Sequence, residues 1–299
     1  MKNIICTVFL VLSFLSCKSK KQKRDLDTTK FSYQKTIIPK DTTRLWVEDG
    51  NIKSDTVLII CQGGPSRNLG FIDKGRTSYR YIPGYENYRI AYLHQAQTLN
   101  QDMFGYNGDL THEMAEAEVN NSSEFLNRTL AYFKSRGKKT IVIGNSYGAY
   151  IIPNYLATRE PLADKYVVIA GRINDNQQML QQHLKGYNGQ FEEDGITYIP
   201  EDENTDLNEY SESKIKEYRV KQLLKAAIGK PRYSEELAGK DLSNVTYFYA
   251  INDKNVGKLS DSELKFLKSK DVKIFKTNTG HSEALYRFID KLKDGSLKL

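Results

Sequence analysis

Apolar residues cluster in short continuous runs along the chain, and Gly, Pro and Asp residues separate these runs. A run that is apolar at every position is typical of a parallel strand covered on both faces, because neither face then meets water. Two runs near the start alternate instead, as edge strands do. The pattern predicts eight strands, at residues 31–38, 44–48, 56–61, 89–93, 140–143, 166–170, 245–250 and 272–276.

Helical patterns separate most of the predicted strands, at residues 114–135, 147–158, 260–268 and 282–293. The third of these opens with Ser260 and has Glu263 three residues later, which is the sequence of a capping box. Strands that alternate with helices in this way indicate an α/β domain built around a mostly parallel sheet.

Residues 175–240 interrupt this alternation between the strands at 166–170 and 245–250. The segment is polar and rich in Gln, Glu, Lys and Tyr, with one helical pattern at residues 215–228. An insertion of this length is usually a lid or a disordered segment. Because Leu223, Leu224, Ala227 and Ile228 give the helical pattern a face to bury, we expect a helical cap.

The first residues have the form of an export signal, with Lys2 followed by an apolar run at residues 4–15. The run is shorter than the roughly 20 residues that span a bilayer. Phe14-Leu-Ser-Cys17 resembles the lipobox of bacterial lipoproteins, and the resemblance implies that Cys17 becomes the lipidated first residue. The alternative is a plain secretory signal in which this cysteine is incidental.

The predicted organisation is therefore a signal peptide at 1–16, a lipidated basic tether at 17–30, and a core at 31–174 and 241–299 with the cap at 175–240 between its parts. It implies a protein of the cell envelope held to a membrane by its lipid. Once Cys6 leaves with the signal and Cys17 is lipidated, only Cys61 remains, so no disulfide is expected. We expect Cys61 to be a buried free thiol, because it closes an apolar strand.

The net charge of +7 lies mostly outside the predicted core. Lys2 carries one unit and residues 18–24 carry five, which leaves about +1 for residues 25–299. A basic run next to a lipid anchor favours contact with anionic headgroups, or serves as a solvated tether. A nearly neutral core argues against a nucleic-acid partner, and no nucleotide-binding loop is visible. The four histidines are scattered, so no metal site or cofactor is expected.

The candidate chemistry centres on Gly144-Asn-Ser-Tyr-Gly148, which joins the strand at 140–143 to the helix at 147–158. A serine at such a turn is the arrangement of a nucleophile elbow, in which the flanking glycines let strand and helix approach closely. A Gly-x-Ser-x-Gly pattern occurs by chance in about one chain in ten of this length. The surrounding elements must therefore decide its meaning.

Two further residues complete a set that can activate Ser146. Asp253 follows the strand at 245–250, and His281 follows the strand at 272–276. A serine hydroxyl becomes a good nucleophile when a neutral imidazole accepts its proton, and a carboxylate orients that imidazole. Asp175, which follows the strand at 166–170, is the alternative for the carboxylate.

With this order of elements, the chain resembles the α/β-hydrolase superfamily over about residues 30–299. In that superfamily the nucleophile follows the fifth strand, the acid commonly follows the seventh, the histidine follows the eighth, and a cap often enters after the sixth. The resemblance implies that Ser146, Asp253 and His281 are the catalytic residues. It also implies hydrolysis of a small-molecule or peptide substrate without a cofactor.

Gln62-Gly-Gly-Pro65 stands where the superfamily has its His-Gly-Gly-Pro type of oxyanion loop. Pro65 has no N–H, so Gly64 and the residue after the nucleophile, Tyr147, are the expected oxyanion donors. Gln62 replaces the usual histidine, which raises the question of how the loop is braced.

Three functions remain open from the sequence: an ester hydrolase, an aminopeptidase-like peptidase that acts on free N-termini, and a catalytically silent binding protein. The intact set of Ser146, Asp253 and His281 argues against the last. Eight carboxylates between residues 192 and 209 either form a solvated loop or hold the amino group of a peptide substrate.

Overall fold

Nine strands form in the computed structural model, which describes residues 34–70, 78–104, 110–202, 211–229 and 232–299. Seven of them make one sheet and two make a hairpin. The sheet strands are β1 (Trp46–Gly50), β2 (Thr56–Cys61), β3 (Arg89–Leu93), β4 (Lys139–Asn145), β5 (Lys165–Ile169), β8 (Val245–Ala250) and β9 (Lys273–Thr277), and the hairpin strands are β6 (Gly189–Phe191) and β7 (Tyr198–Pro200).

The helices alternate with the sheet strands, as the sequence predicts. They are α1 (Ala96–Leu99), α2 (His112–Lys134), α3 (Tyr147–Thr158), α4 (Gln177–Leu184), α5 (Glu212–Ile228), α6 (Tyr233–Glu236), α7 (Asp261–Ser269) and α8 (Glu283–Lys293). The capping box of α7 is present, with the Ser260 hydroxyl accepting from the Glu263 N–H and the Glu263 carboxylate accepting from the Ser260 N–H.

The order of strands across the sheet is β1-β3-β2-β4-β5-β8-β9. Only β1 runs antiparallel to its neighbour, and the pairs from β3 to β9 are parallel. The carboxyl ends of the parallel strands consequently lie along one edge, where sites in open α/β sheets form. The fold class predicted from the sequence is confirmed.

Both faces of the sheet are buried. Along β2, Val57, Ile59 and Cys61 belong to the apolar cluster on one face, and Leu58 and Ile60 belong to the cluster on the other. The first cluster includes residues of α2, α3 and α5, and the second includes residues of α8. Burial on both faces explains why the strands appear in the sequence as continuous apolar runs.

The first predicted strand is wrong over the residues that the structure describes. Residues 34–38 form no strand, and residues 31–33 lie outside the described part of the chain. Side chains of the helical layer bond to this segment instead, because Thr36 N–H donates to Glu118 Oε1 at 2.8 Å and Asn100 Nδ2 donates to Gln34 O at 2.9 Å. The next predicted strand begins late, at Trp46, since residues Thr42–Leu45 form a 3₁₀ turn capped by Asp41.

The segment between β5 and β8 contains α4, the β6–β7 hairpin, α5 and α6. Leu224, Ala227 and Ile228 of α5 are buried, and α5 packs against α2, α3 and α4. The helical pattern at 215–228 is therefore a helix that buries its apolar face, as expected. The short hairpin has no counterpart among the predicted elements.

Candidate active site

Ser146 lies between β4 and α3 in a backbone conformation that side chains rarely adopt, with φ 54° and ψ −123°. Such a conformation costs on the order of 1–3 kcal/mol and persists only where the surroundings enforce it. Here the Ser146 N–H donates to the Ile169 carbonyl at the end of β5, at 2.9 Å. The turn is thereby tied to the neighbouring strand of the sheet.

The two glycines of the motif allow backbone contacts that no other residue permits. A Cβ on Gly148 would lie 2.1 Å from the carbonyl oxygen of Cys61 at the end of β2. A Cβ on Gly144 would lie 2.4 Å from the carbonyl oxygen of Gly148. The spacing of the motif thus follows from the close approach of α3 to β2 and β4.

A chain of hydrogen bonds joins the three residues that the sequence predicts. His281 Nε2 lies 2.8 Å from Ser146 Oγ, and His281 Nδ1 lies 2.7 Å from Asp253 Oδ2. A proton on Nδ1, donated to the carboxylate, leaves Nε2 free to accept the serine proton.

Asp253 is fixed in this position by its own backbone. Its side chain is 1% exposed, and its Oδ1 accepts the N–H groups of Asn255 and Val256 at 2.9 and 3.0 Å. The loop of His281 is tied to the loop of Asp253, since Asn252 N–H donates to Thr279 O at 3.2 Å. The carboxylate and the imidazole are therefore held in register before any substrate binds.

Asp175, the alternative acid, has a different environment. Its Oδ1 accepts a long hydrogen bond of 3.5 Å from the Tyr150 hydroxyl, and the Asp253 carboxylate occupies the Nδ1 side of His281. Burial raises the pKa of Asp175 to about 7, against the opposing effect of Arg172. Asp175 therefore lines the site without orienting the imidazole.

The loop that carries Asp175 is held by a buried carboxylate of α7. Glu263 pairs with Arg172 at 2.7 Å and accepts the N–H groups of Ile173 and Asn174 at 3.1 and 3.0 Å. The Glu263 side chain is 1% exposed. One side chain thus caps its own helix and fixes the loop that follows β5.

Gln62 braces the predicted oxyanion loop. Its side-chain amide donates to Asn68 O at 2.9 Å and accepts from Gly70 N–H at 2.8 Å, so both ends of the amide are used. The backbone carbonyl of Gln62 accepts a further hydrogen bond from Gln95 Nε2 at 2.7 Å. The Gln62 side chain therefore braces the loop through both of its polar atoms.

The two expected oxyanion donors lie beside the serine. Gly64 and Tyr147 line the same pocket as Ser146. Tyr147 is the first residue of α3, where backbone N–H groups have no partner within the helix and favour a negative charge. Gly63 also approaches the serine, since a Cβ on it would lie 3.3 Å from Ser146 Cβ.

A pocket of about 220 Å³ opens beside Ser146. The sequence did not single out most of its walls, which come from the loop after β5, from α4 and α5 of the inserted segment, and from the loop after β8. Its described lining residues are Gly64, Ser146, Tyr147, Tyr150, Asp175, Met179, His183, Asn188, Lys225, Ile228, Gly229, Asn255 and Val256. No motif or spacing in the sequence indicated that these residues of the inserted segment would lie beside Ser146.

Polar groups of the inserted segment meet at Asn188. Its Oδ1 lies 3.3 Å from Lys225 Nζ and 3.2 Å from His183 Nε2, and its N–H donates to Glu201 at 2.7 Å. Tyr218 also donates to Glu201. Burial lowers the pKa of Lys225 to about 8 and that of His183 to about 3, so the lysine is charged and the histidine neutral near pH 7.

The first three carboxylates of the acidic run lie away from this pocket, whereas Glu201 of the same run accepts the N–H of Asn188, which lines it. Glu192, Glu193 and Asp194 are exposed on the β6–β7 hairpin, and Asp194 Oδ1 accepts the N–H groups of Ile196 and Thr197 in its turn. None of the three lines the pocket. They therefore fit the solvated loop, while residues 203–210 lie outside the described part.

Of the predicted cysteines, Cys61 is a buried free thiol, and burial raises its pKa to about 12. Cys17 lies outside the described residues. Within the described ranges, no group of three or more His, Cys, Asp or Glu residues is placed to hold a metal ion. No described helix combines the length and apolar character that crossing a membrane requires.

Solved structures share this architecture. An α/β-hydrolase enzyme from a Medee basin deep-sea metagenome library matches with a TM-score of 0.52 and 15% identity, over 85% of this chain and 94% of that one. A lipase-esterase related protein from Clostridium acetobutylicum matches with a TM-score of 0.50 and 15% identity, over 83% of this chain and 98% of that one. No protein-family model and no curated protein matches the sequence. The chain has the α/β-hydrolase fold.

Proposed function

We propose that the protein is a serine hydrolase that cleaves an ester bond through Ser146, His281 and Asp253. The observation that carries the proposal is the pair of hydrogen bonds that links serine to imidazole at 2.8 Å and imidazole to carboxylate at 2.7 Å. A serine in a strained turn, a pocket beside it and the α/β-hydrolase fold support the same function.

In the proposed reaction, Ser146 Oγ attacks the carbonyl carbon of the substrate and His281 Nε2 takes the hydroxyl proton. Asp253 holds the imidazole by its Nδ1 proton and stabilises the imidazolium that forms. The N–H groups of Tyr147 and Gly64 then bind the negative oxygen of the tetrahedral intermediate.

Collapse of this intermediate breaks the bond to the leaving group, which takes the proton from His281 and departs. The acyl group remains on Ser146 as an ester. His281 next accepts a proton from water, the resulting hydroxide attacks the acyl carbon, and the acid product leaves as Ser146 regains its proton.

A fluorophosphonate probe tests the nucleophile. We expect the probe to label Ser146, and Ser146→Ala to abolish both labelling and turnover of p-nitrophenyl esters, because this hydroxyl is bonded to an imidazole that a carboxylate orients. Ser66→Ala is the matched control, since it removes a hydroxyl from the nearby oxyanion loop. Turnover that survives in Ser146→Ala would eliminate the proposal.

Assays of esters and of aminoacyl arylamides, run in parallel, decide between an esterase and a peptidase, which use the same catalytic residues. Esters hydrolysed much faster than aminoacyl arylamides support the esterase, and the reverse result supports the aminopeptidase-like peptidase. Failure to label Ser146 or to hydrolyse either class would favour a silent binding protein with this fold.

We further propose that the mature protein is attached to a membrane of the cell envelope through lipid on Cys17. The apolar run before this cysteine, its resemblance to a lipobox and the basic residues 18–24 support the attachment. Neither lipid nor membrane enters the proposed chemistry, so the anchor and the hydrolase are tested separately.

A further inference from the structure

The pocket beside Ser146 has four polar side chains among its walls. Asp175, His183, Asn188 and Lys225 all line it, together with apolar residues such as Ile228. An alkyl chain would displace water from the Lys225 ammonium and offer it no hydrogen bond in return, which is costly. The walls are therefore suited to a substrate that carries its own polar group.

Lys225 carries a positive charge in this pocket and has no direct counterion among the described residues. Its ammonium donates to the neutral Oδ1 of Asn188 at 3.3 Å. In the part of the chain that the structure describes, it forms no salt bridge within 4.0 Å. A partly buried ammonium bonded to an amide oxygen retains donors for an anionic ligand.

Asp175 opposes this positive charge only in part. Its carboxyl group lies against Tyr150 and Gly229, and its charge is influenced by the Arg172–Glu263 pair behind it. Since the pKa of Asp175 is raised to about 7, a large share of these carboxyl groups is protonated near neutral pH. Glu201, the other carboxylate that acts on Lys225, accepts hydrogen bonds from the Asn188 N–H and the Tyr218 hydroxyl.

The position of the pocket relates it to the acyl side of the substrate. Its walls include Ser146 and both expected oxyanion donors, Gly64 and Tyr147. His281, which protonates the leaving group in the proposed reaction, is not among the described lining residues. A pocket that contains the serine and both expected oxyanion donors, but not the imidazole, is placed to receive the acyl group, with the leaving group on the histidine side.

We propose that Lys225 binds a carboxylate at the far end of the acyl group, which makes the preferred substrates monoesters of dicarboxylic acids. The inference rests on the proposed hydrolase function and adds its substrate class. Asn188 orients the lysine, and the neutral His183 beside it leaves the ammonium as the binding charge. The cation thus selects the acyl group by charge, where chain length alone discriminates weakly.

Paired esters test this selectivity. Mono-p-nitrophenyl succinate, glutarate and adipate are compared with p-nitrophenyl butyrate, pentanoate and hexanoate, so that each pair differs only in the terminal group. We expect at least one anionic ester to be preferred by about tenfold in kcat/KM, which corresponds to about 1.4 kcal/mol, because hydrogen bonds to a charged group are stronger than those between neutral groups. A ratio of one or less for all three pairs would overturn the inference.

Three variants assign the preference to the lysine. Lys225→Met should lower the ratio of anionic to neutral ester to about one, and Lys225→Arg should retain most of it. Lys221→Met is the matched control, because Lys221 lies one turn earlier on α5, pairs with Glu217 and does not line the pocket. If a substitution changes the rates on both esters by the same factor, that factor cancels in the ratio of anionic to neutral ester. A ratio that survives Lys225→Met, or falls equally in Lys221→Met, would refute the assignment.

The preference should also depend on pH with a definite sign. As pH rises, Asp175 loses its proton near pH 7 and Lys225 near pH 8, so both changes make the pocket more negative. The ratio should be highest near pH 6 and fall toward pH 9, and Asp175→Asn should flatten the part between about pH 6 and 7.5. Besides burial, the groups that act on the pKa of Lys225 are Lys221, Glu201 and Asp175. Those that act on the pKa of Asp175 are Arg172, Glu263, Tyr150 and Lys225. A ratio that rises with pH would contradict the proposed role of Lys225.

A binding measurement separates this inference from the hydrolase proposal. In Ser146→Ala, calorimetry with mono-p-nitrophenyl adipate and p-nitrophenyl hexanoate should show tighter binding of the anionic ester, and adding Lys225→Met should remove the difference. Binding that favours the anion in this way supports the subsite even if no ester is turned over. If esters are hydrolysed but neither kinetics nor calorimetry shows a preference for the anionic ester, the Lys225 subsite is overturned and the hydrolase proposal stays intact.

Discussion

Replacing Gly148 by alanine tests whether the close approach of α3 to β2 positions the nucleophile. The added Cβ would lie 2.1 Å from Cys61 O and 2.5 Å from Gln62 O, about 1 Å nearer than real Cβ atoms approach their neighbours. Both contacts are backbone atoms, so no side chain can rotate away. We therefore expect α3 and the strand end to separate by about 1 Å.

The separation should reduce stability and rate by different amounts. Overpacking of this kind costs about 1–3 kcal/mol, and about 3 kcal/mol corresponds to a melting temperature about 6–12 °C lower for a domain of this size. A misplacement of about 1 Å at the reacting atoms lowers kcat/KM by about 100-fold. Differential scanning fluorimetry and p-nitrophenyl ester kinetics measure the two effects.

Gly239→Ala provides the matched control, because a Cβ there meets nothing within 4 Å. It should leave the rate unchanged and alter stability by less than about 1 kcal/mol, through the entropy of the unfolded chain. If Gly148→Ala has the melting temperature and rate of the wild type, the explanation of the glycine spacing is wrong.

Three further changes test other parts of the structure. Asp253→Asn should lower kcat/KM by about 10⁴-fold in steady-state kinetics without loss of fold, because the imidazole loses its carboxylate acceptor. A larger loss in Asp175→Asn would reverse the assignment of the acid. Glu263→Gln should lower the free energy of unfolding by about 3 kcal/mol in urea titrations, since the charge on Arg172 stays buried without its partner. A change below about 0.5 kcal/mol would contradict the role of Glu263 as the partner of Arg172. Cys17→Ser should move the protein from the membrane fraction to the soluble fraction or block its maturation, and wild-type protein found soluble and without lipid by mass spectrometry would refute the anchor.

Much of the sheet could be predicted because its strands are buried on both faces. The predicted bounds of β2, β3 and β8 are confirmed at both ends, and burial on both sides is the physical reason that they are continuously apolar. The segment at 34–38 has a pattern like that of an edge strand but bonds to side chains such as Glu118, which is distant in sequence. Local pattern contains no information about such a partner.

The candidate site also has one part that the sequence predicts and one part that it does not. Ser146, Asp253 and His281 follow strands whose carboxyl ends meet at one edge, so the order of elements was enough to predict that they come together. Lys225 and Asn188 belong to an insertion whose position over the pocket depends on packing against α2, α3 and α4. Their approach to the serine has no signature in the spacing of residues.

The bond between Ser146 and His281 spans 135 residues of chain. Synthesis at about 5–20 residues per second separates the appearance of the two side chains by several seconds or more. During this interval the serine has no imidazole to accept its proton. A nascent chain therefore carries an inert hydroxyl, and the nucleophile becomes reactive only after β9 has added to the sheet and brought His281 to the elbow.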